Sequence, residues 1–107
     1  MEKRNVIKEK SFEFAKEIVY LYKNLADKKE FVLSRQLLKS GTSIGANIRE
    51  AEHAQSKADF INKLSISLKE ANETEYWLDL LYETNYLSDE EFQKLKNKNI
   101  ELLKLLI

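Results

Sequence analysis

Cysteine and proline are absent from this 107-residue chain, and glycine occurs only twice. An average chain of this length carries about 5 prolines and about 7 glycines. Without cysteine there is no disulfide framework, no thiol nucleophile and no thiolate metal site. A single histidine, His53, excludes a multi-histidine metal cage within one chain. No apolar run approaches the ~20 residues of a membrane span. The segment Met1-Glu2-Lys3-Arg4-Asn5-Val6 has no signal-peptide apolar core, so a cytoplasmic protein with no membrane partner is expected. Charged residues make up 34% and hydrophobic ones 43%, a balance that folds as one small soluble domain over residues 1–107.

Net charge is also missing, with 18 basic side chains against 18 acidic. A dedicated nucleic-acid binder normally has a basic excess. Here the sign varies locally. Residues 1–30 carry +2, residues 31–55 +1, residues 56–87 −3 and residues 88–107 zero.

What is present is helical periodicity. Apolar residues never alternate with period two, so no strand is expected. Phe12, Ala15, Ile18, Val19, Tyr22 and Leu25 predict a first helix ending near Ala26. Leu33, Leu37, Gly41, Ile44, Ile48 and Ala51 predict a second from about Phe31 to His53. Gly41 and Gly45 lie inside it, and each costs up to about 1 kcal/mol of helix propensity. They imply either a close helix crossing or a kink.

A third helix opens with a capping box, Ser56 with Asp59, and runs to about Asn85. Its main stripe is Phe60, Ile61, Leu64, Leu68, Ala71, Leu78 and Tyr82, with Glu75 near the middle. Ser88 and Glu91 open a fourth helix, whose inward residues are Phe92, Leu95, Leu102, Leu103 and Leu106. The polar breaks near residues 27–30, 54–56 and 85–88 are short. The expected fold is therefore all-α, an antiparallel up-and-down four-helix bundle.

The surfaces carry the functional reading. Residues 31–48 hold only two charged side chains, Arg35 and Lys39, whereas a surface helix normally keeps a charged outer face. Gln36, Ser40, Ser43 and Asn47 fall on one line beside the apolar stripe. They are either internal hydrogen-bonding groups or part of a subunit interface. On the opposite line Arg35, Lys39 and Arg49 form a narrow basic track, suited either to following phosphates or to salt bridges with the acidic third helix. Helix 3 has a second apolar group, Ile66, Trp77, Leu80 and Leu81. Large apolar groups on an outer face mark a subunit or partner contact.

The catalytic templates fail. Glu50 and His53 have the Glu-x-x-His spacing of di-iron bundles, but the site needs two such pairs, which with one histidine only a symmetric dimer could supply, and both residues point away from the apolar stripe. The segment Gly41-Thr42-Ser43-Ile44-Gly45 lies within a helix and lacks the lysine of a phosphate loop. No serine sits in a nucleophile elbow. No enzyme activity, cofactor, metal or small-molecule substrate is expected.

Two runs carry a resemblance. One is Phe31 to Ala51, with Gln36, Ser43, Asn47 and Glu50 at their spacing. The other is Lys57-Ala58-Asp59-Phe60-Ile61, continued by Leu64 to Ala71 and by Glu73-Thr74-Glu75-Tyr76-Trp77-Leu78. Together they resemble the bacterial four-helix-bundle proteins encoded by intervening sequences in 23S ribosomal RNA genes. That family is similar to the accessory protein of diversity-generating retroelements, which binds nucleic acid and its reverse transcriptase. The resemblance implies a closed homo-oligomer, a pentamer, with no known enzyme activity. The expected function is a helical scaffold binding RNA or a ribonucleoprotein partner. The alternative is a protein–protein adaptor with no nucleic-acid contact.

Overall fold

Four helices account for nearly all of the computed structural model, which describes residues 3–107. They are α1 (Lys3–Asp27), α2 (Val32–Glu52), α3 (Lys57–Glu83) and α4 (Asp89–Leu106). No strand occurs among the described residues. Each helix packs against its two neighbours in chain order, and α4 closes back on α1. The molecule measures 43 × 24 × 18 Å. At about 1.5 Å per residue a 27-residue helix spans about 40 Å, so α3 alone sets the long dimension. The lack of proline permits helices of this length.

The connections are built by local chemistry. Ser56 Oγ accepts from the Asp59 N–H at 3.0 Å, and Ser88 Oγ accepts from the Glu91 N–H at 3.1 Å, as their spacing predicts. The Asp59 carboxylate reaches back to the Gln55 N–H at 3.4 Å instead of bonding the capping serine. The ends of α1 and α3 close with matching turns. Glu30 N–H donates to the Leu25 carbonyl and Tyr86 N–H to that of Leu81, each at 2.9 Å. Lys29 (φ 66°) and Asn85 (φ 69°) supply the left-handed residue that such a turn requires.

Glu30 then starts α2. Its carboxylate accepts from the Leu33 N–H at 3.0 Å and from the Ser34 N–H at 2.8 Å, and the Ser34 hydroxyl donates to its carbonyl. A negative charge on two orphan N–H groups at a helix N-terminus is stabilising. Sequence reading places Glu30 in a polar connection. The structure buries it, with 9% exposure.

Gly41 and Gly45 do not break α2, which runs unbroken through both. An added Cβ at Gly41 would stand 2.9 Å from Ile18 Cγ1 and 3.0 Å from its Cγ2. At Gly45 it would stand 3.2 Å from Ser11 Oγ. The two glycines therefore mark a close crossing of α1 and α2.

The core contains Phe14, Ile18, Leu25, Leu37, Ile44, Leu78, Leu81 and Leu102, each no more than 1% exposed. The α2 stripe is as expected, with Leu33 only half-buried. Two other stripes are displaced. In α1 the buried line is Ile7, Ser11, Phe14, Ile18, Leu21 and Leu25, whereas Phe12 is 46% exposed. In α3 the buried line is Ser67, Ala71, Thr74, Leu78 and Leu81. Leu81, expected on an outer face, is 0% exposed and belongs to the core, while Ile61 is 53% exposed. Hydroxyls stand at core positions in both helices, which hides the true line from a hydrophobic pattern. The close crossing admits only a small residue at Ser11. Ser67 spends its hydroxyl on the Ile44 carbonyl, and Thr74 meets Ser40 at 3.0 Å. On α4, Asn99 is fully buried and donates to the Ala71 carbonyl at 3.0 Å.

Replacing Glu30 with alanine removes two charge-assisted bonds from a buried helix start. We expect a loss of about 1–3 kcal/mol in urea denaturation. A variant with the parent midpoint and slope would show that Glu30 does not hold the start of α2.

Candidate functional site

Seven lysines are ion-paired within the chain among the described residues. Glu17 on α1 holds both Lys94 (3.0 Å) and Lys98 (2.7 Å) of α4. Burial raises the Glu17 carboxyl pKa, but the two ammonium groups outweigh it and hold it below the usual carboxylate range. Lys10 pairs with Glu101, Lys96 with Asp79, Lys8 with Glu52 and Lys63 with Glu50.

The outer line of α2 differs. Arg35, Lys39 and Arg49 are exposed, and none has an acid within 4.0 Å among the described residues. The expected alternative of salt bridges to α3 therefore does not describe them. From Arg35 to Arg49 the helix advances about 21 Å. Lys39 leans toward α3, where its charge is felt by Glu70. Arg49 leans toward α1, its guanidinium 4.9 Å from the centroid of the Phe12 ring.

The neutral line divides. Ser40 is buried against Thr74. Ser43 donates to the Lys39 carbonyl at 2.6 Å and Asn47 to the Ser43 carbonyl at 2.9 Å, so both serve their own helix. Gln36 is exposed. These four residues do not converge on one site.

The outer face of α3 is acidic and aromatic. Glu70 and Glu73 have no cation within ion-pair distance among the described residues. Glu73 accepts from Trp77 Nε1 at 3.3 Å. Tyr76 is 59% exposed and meets Trp77 edge-on, with centroids 5.0 Å apart. Ile66, Trp77 and Leu80 are half-buried beside them. Sequence reading singled out Trp77 but missed Tyr76, the most exposed aromatic of this helix. The adjacent pair Tyr76-Trp77 was the available signal.

The Glu50–His53 pair turns outward, with Glu50 3.2 Å from Lys63. No group of three His, Asp or Glu side chains converges in a way that would hold a metal among the described residues. An apolar hollow of about 250 Å³ opens where Ile7, Ile48, Phe60, Leu64 and Leu106 meet at one end of the bundle. Its one charged lining residue, Glu52, is tied to Lys8. A catalytic pocket needs several convergent polar groups, and this one lacks them. No helix among the described residues is long and apolar enough to cross a membrane.

Burial, with the charge of Glu73 added, raises the Glu70 pKa, while Lys39 and Lys69 oppose the rise. A carboxyl whose folded pKa is raised destabilises the fold when ionised, and the penalty is lifted as pH falls through the folded value. Glu70→Gln is therefore expected to raise the melting temperature at pH 7. The gain should vanish below the ordinary carboxylate range. A gain that persists unchanged at low pH would contradict this electrostatic account.

A family model for the 23S rRNA-intervening sequence protein matches residues 3–107. No curated protein matches. The chain is similar to a crystal structure of a protein of unknown function from the S23 ribosomal protein family of Bacteroides thetaiotaomicron. The two are 63% identical, the similarity covers 98% of this chain and 95% of that one, and the TM-score is 0.96. Four helices in up-and-down order, the α2 and α3 motifs and the full-length match agree, and the chain belongs to the 23S rRNA-intervening sequence protein family.

Proposed function

We propose that this protein is a non-enzymatic, cytoplasmic scaffold that assembles as a closed homo-oligomer and binds RNA, or a ribonucleoprotein partner, through the outer line of α2. The observation that carries this reading is the charge state of that line. Among the described residues Arg35, Lys39 and Arg49 have no acid within ion-pair distance, whereas most of the described cations of α1 and α4 are paired. Unpaired cations along a helix exchange their counterions for phosphates without first breaking an ion pair.

Three cations are few for one subunit. Each phosphate neutralised contributes a salt slope of about −0.9 on a duplex or about −0.7 on a single strand. Assembly multiplies them, because several copies present the same line at a high effective concentration. The subunit contact that we assign is the α3 face of Ile66, Trp77 and Leu80, extended by Tyr76, since exposed aromatics backed by a packed core are characteristic interface anchors. A pentamer, as the resemblance implies, presents five such lines.

The exposed Tyr76 beside Trp77 also favours a second reading. In it the same α3 face captures a protein partner, and nucleic acid plays no part.

Light scattering on a size-exclusion column, with and without a structured ribosomal RNA fragment, tests the proposal. We expect an oligomer whose RNA-dependent shift is lost at high salt. Arg35→Glu with Lys39→Glu should keep the parent mass, weaken RNA at least about ten-fold and reduce the salt slope by about two. Trp77→Glu should lower the mass. A parent monomer, or a double variant that holds RNA like the parent, would overturn the assignment. An oligomer inert to RNA at low salt would replace it with the adaptor reading.

A further inference from the structure

A large aromatic ring lies exposed on the charged outer face of the α1–α2 pair. Phe12 is 46% exposed, and two cations attend its ring. The Arg49 guanidinium is 4.9 Å and the Lys16 ammonium 5.4 Å from its centroid. The cations are not equivalent. Lys16 is held by Glu13 at 2.9 Å, whereas Arg49 has no acid within ion-pair distance among the described residues.

Arg49 is also where the surface opens. Three shallow hollows border it. One is floored by Ala15, Thr42, Gly45 and Ala46, a shelf of small residues at the close crossing of α1 and α2. A second contains Phe12, Lys8 and the amide of Asn5, with the acids Glu9 and Glu13, of which Glu13 is paired with Lys16. The third contains His53 and Gln55, which carry hydrogen-bonding groups, together with Asp59 and the Glu50–Lys63 ion pair.

We propose that the Phe12–Arg49 pair is a stacking site for one unpaired base of a single-stranded nucleic acid, whose backbone then follows Arg49 toward Lys39 and Arg35. The inference rests on the RNA reading above and narrows it to single strands. A guanidinium braced on an aromatic ring offers its open side to a base, and both groups are recurrent base-stacking platforms. A duplex base is already stacked on its neighbours and cannot use the site. An acidic protein segment would answer one or two cations, but nothing in it matches an aromatic platform continued by a line of separated cations.

Fluorescence anisotropy with a labelled strand of about 12 nucleotides provides the test. RNA and DNA strands of one sequence, and their duplex, are compared, and the tighter strand identifies the natural class. Arg49→Lys keeps the charge and loses the planar group. We expect it to weaken single-strand binding about five-fold or more. The salt slope and the duplex affinity should be unchanged. Phe12→Ala should act likewise, with circular dichroism to check its fold. A strand carrying 2-aminopurine should show emission changes on the parent protein that both variants lose.

Parent-like single-strand binding by Arg49→Lys would overturn the stacking site. If Arg35→Glu with Lys39→Glu still loses binding in that case, the electrostatic reading survives alone. Tighter binding to the duplex would also overturn the stacking site. Absence of binding by the parent at low salt would overturn both readings.

Discussion

The contact between Gly41 and Ile18 governs how α1 lies on α2. A Cβ at Gly41 would fall 2.9 Å from a side chain that is fully buried and has nowhere to move. Well-packed interiors do not absorb such an intrusion without strain. Gly45 against Ser11, about one helix turn further along α2, leaves the pair one register. That register brings Phe12 beside Arg49 and Lys8 beside Glu52. Two residues that weaken α2 as an isolated helix are thus what positions its outer surface.

The same geometry explains where charge remains. On α1, Glu17 engages two lysines of α4, and Glu13 engages Lys16 of its own helix. Glu50 and Glu52 of α2 are engaged by Lys63 and Lys8. No acid among the described residues comes within ion-pair distance of Arg35 or Arg49, although Glu9 and Glu13 share a hollow with Arg49. On the neighbouring α3 Glu70 and Glu73 stand beside Tyr76 and Trp77 with no cation within ion-pair distance among the described residues. A chain of zero net charge therefore presents a basic line and an acidic aromatic face on adjacent helices. The total charge hides a division that only packing reveals.

Much of the fold could be read without coordinates. The serine caps at Ser56 and Ser88, the short polar breaks and the α2 stripe all express local rules. The core lines of α1 and α3 could not be read in the same way. Their inward positions include Ser11, Ser67 and Thr74, and a hydrophobic pattern assigns such residues to the surface. Asn99 is hidden in α4 for the same reason. Glu30 went unrecognised because glutamate is not among the usual capping residues, though its carboxylate fills that role here. Of the candidate site, the cationic line was legible as a line. Its lack of ion-pair partners among the described residues and the place of Phe12 beside Arg49 were not, since both depend on how the neighbouring helices pack against α2.

A double-mutant cycle between Gly41 and Ile18 tests that register most directly. Ile18→Ala alone is expected to cost about 2–5 kcal/mol as a core truncation. Gly41→Ala alone should also destabilise, because overpacking at about 1–3 kcal/mol opposes a propensity gain of about 1 kcal/mol. In the Ile18→Ala background the obstructing methyl groups are gone, and Gly41→Ala should become neutral or stabilising in urea denaturation. Costs that simply add, with Gly41→Ala equally harmful in both backgrounds, would contradict the close crossing from which the rest of this account follows.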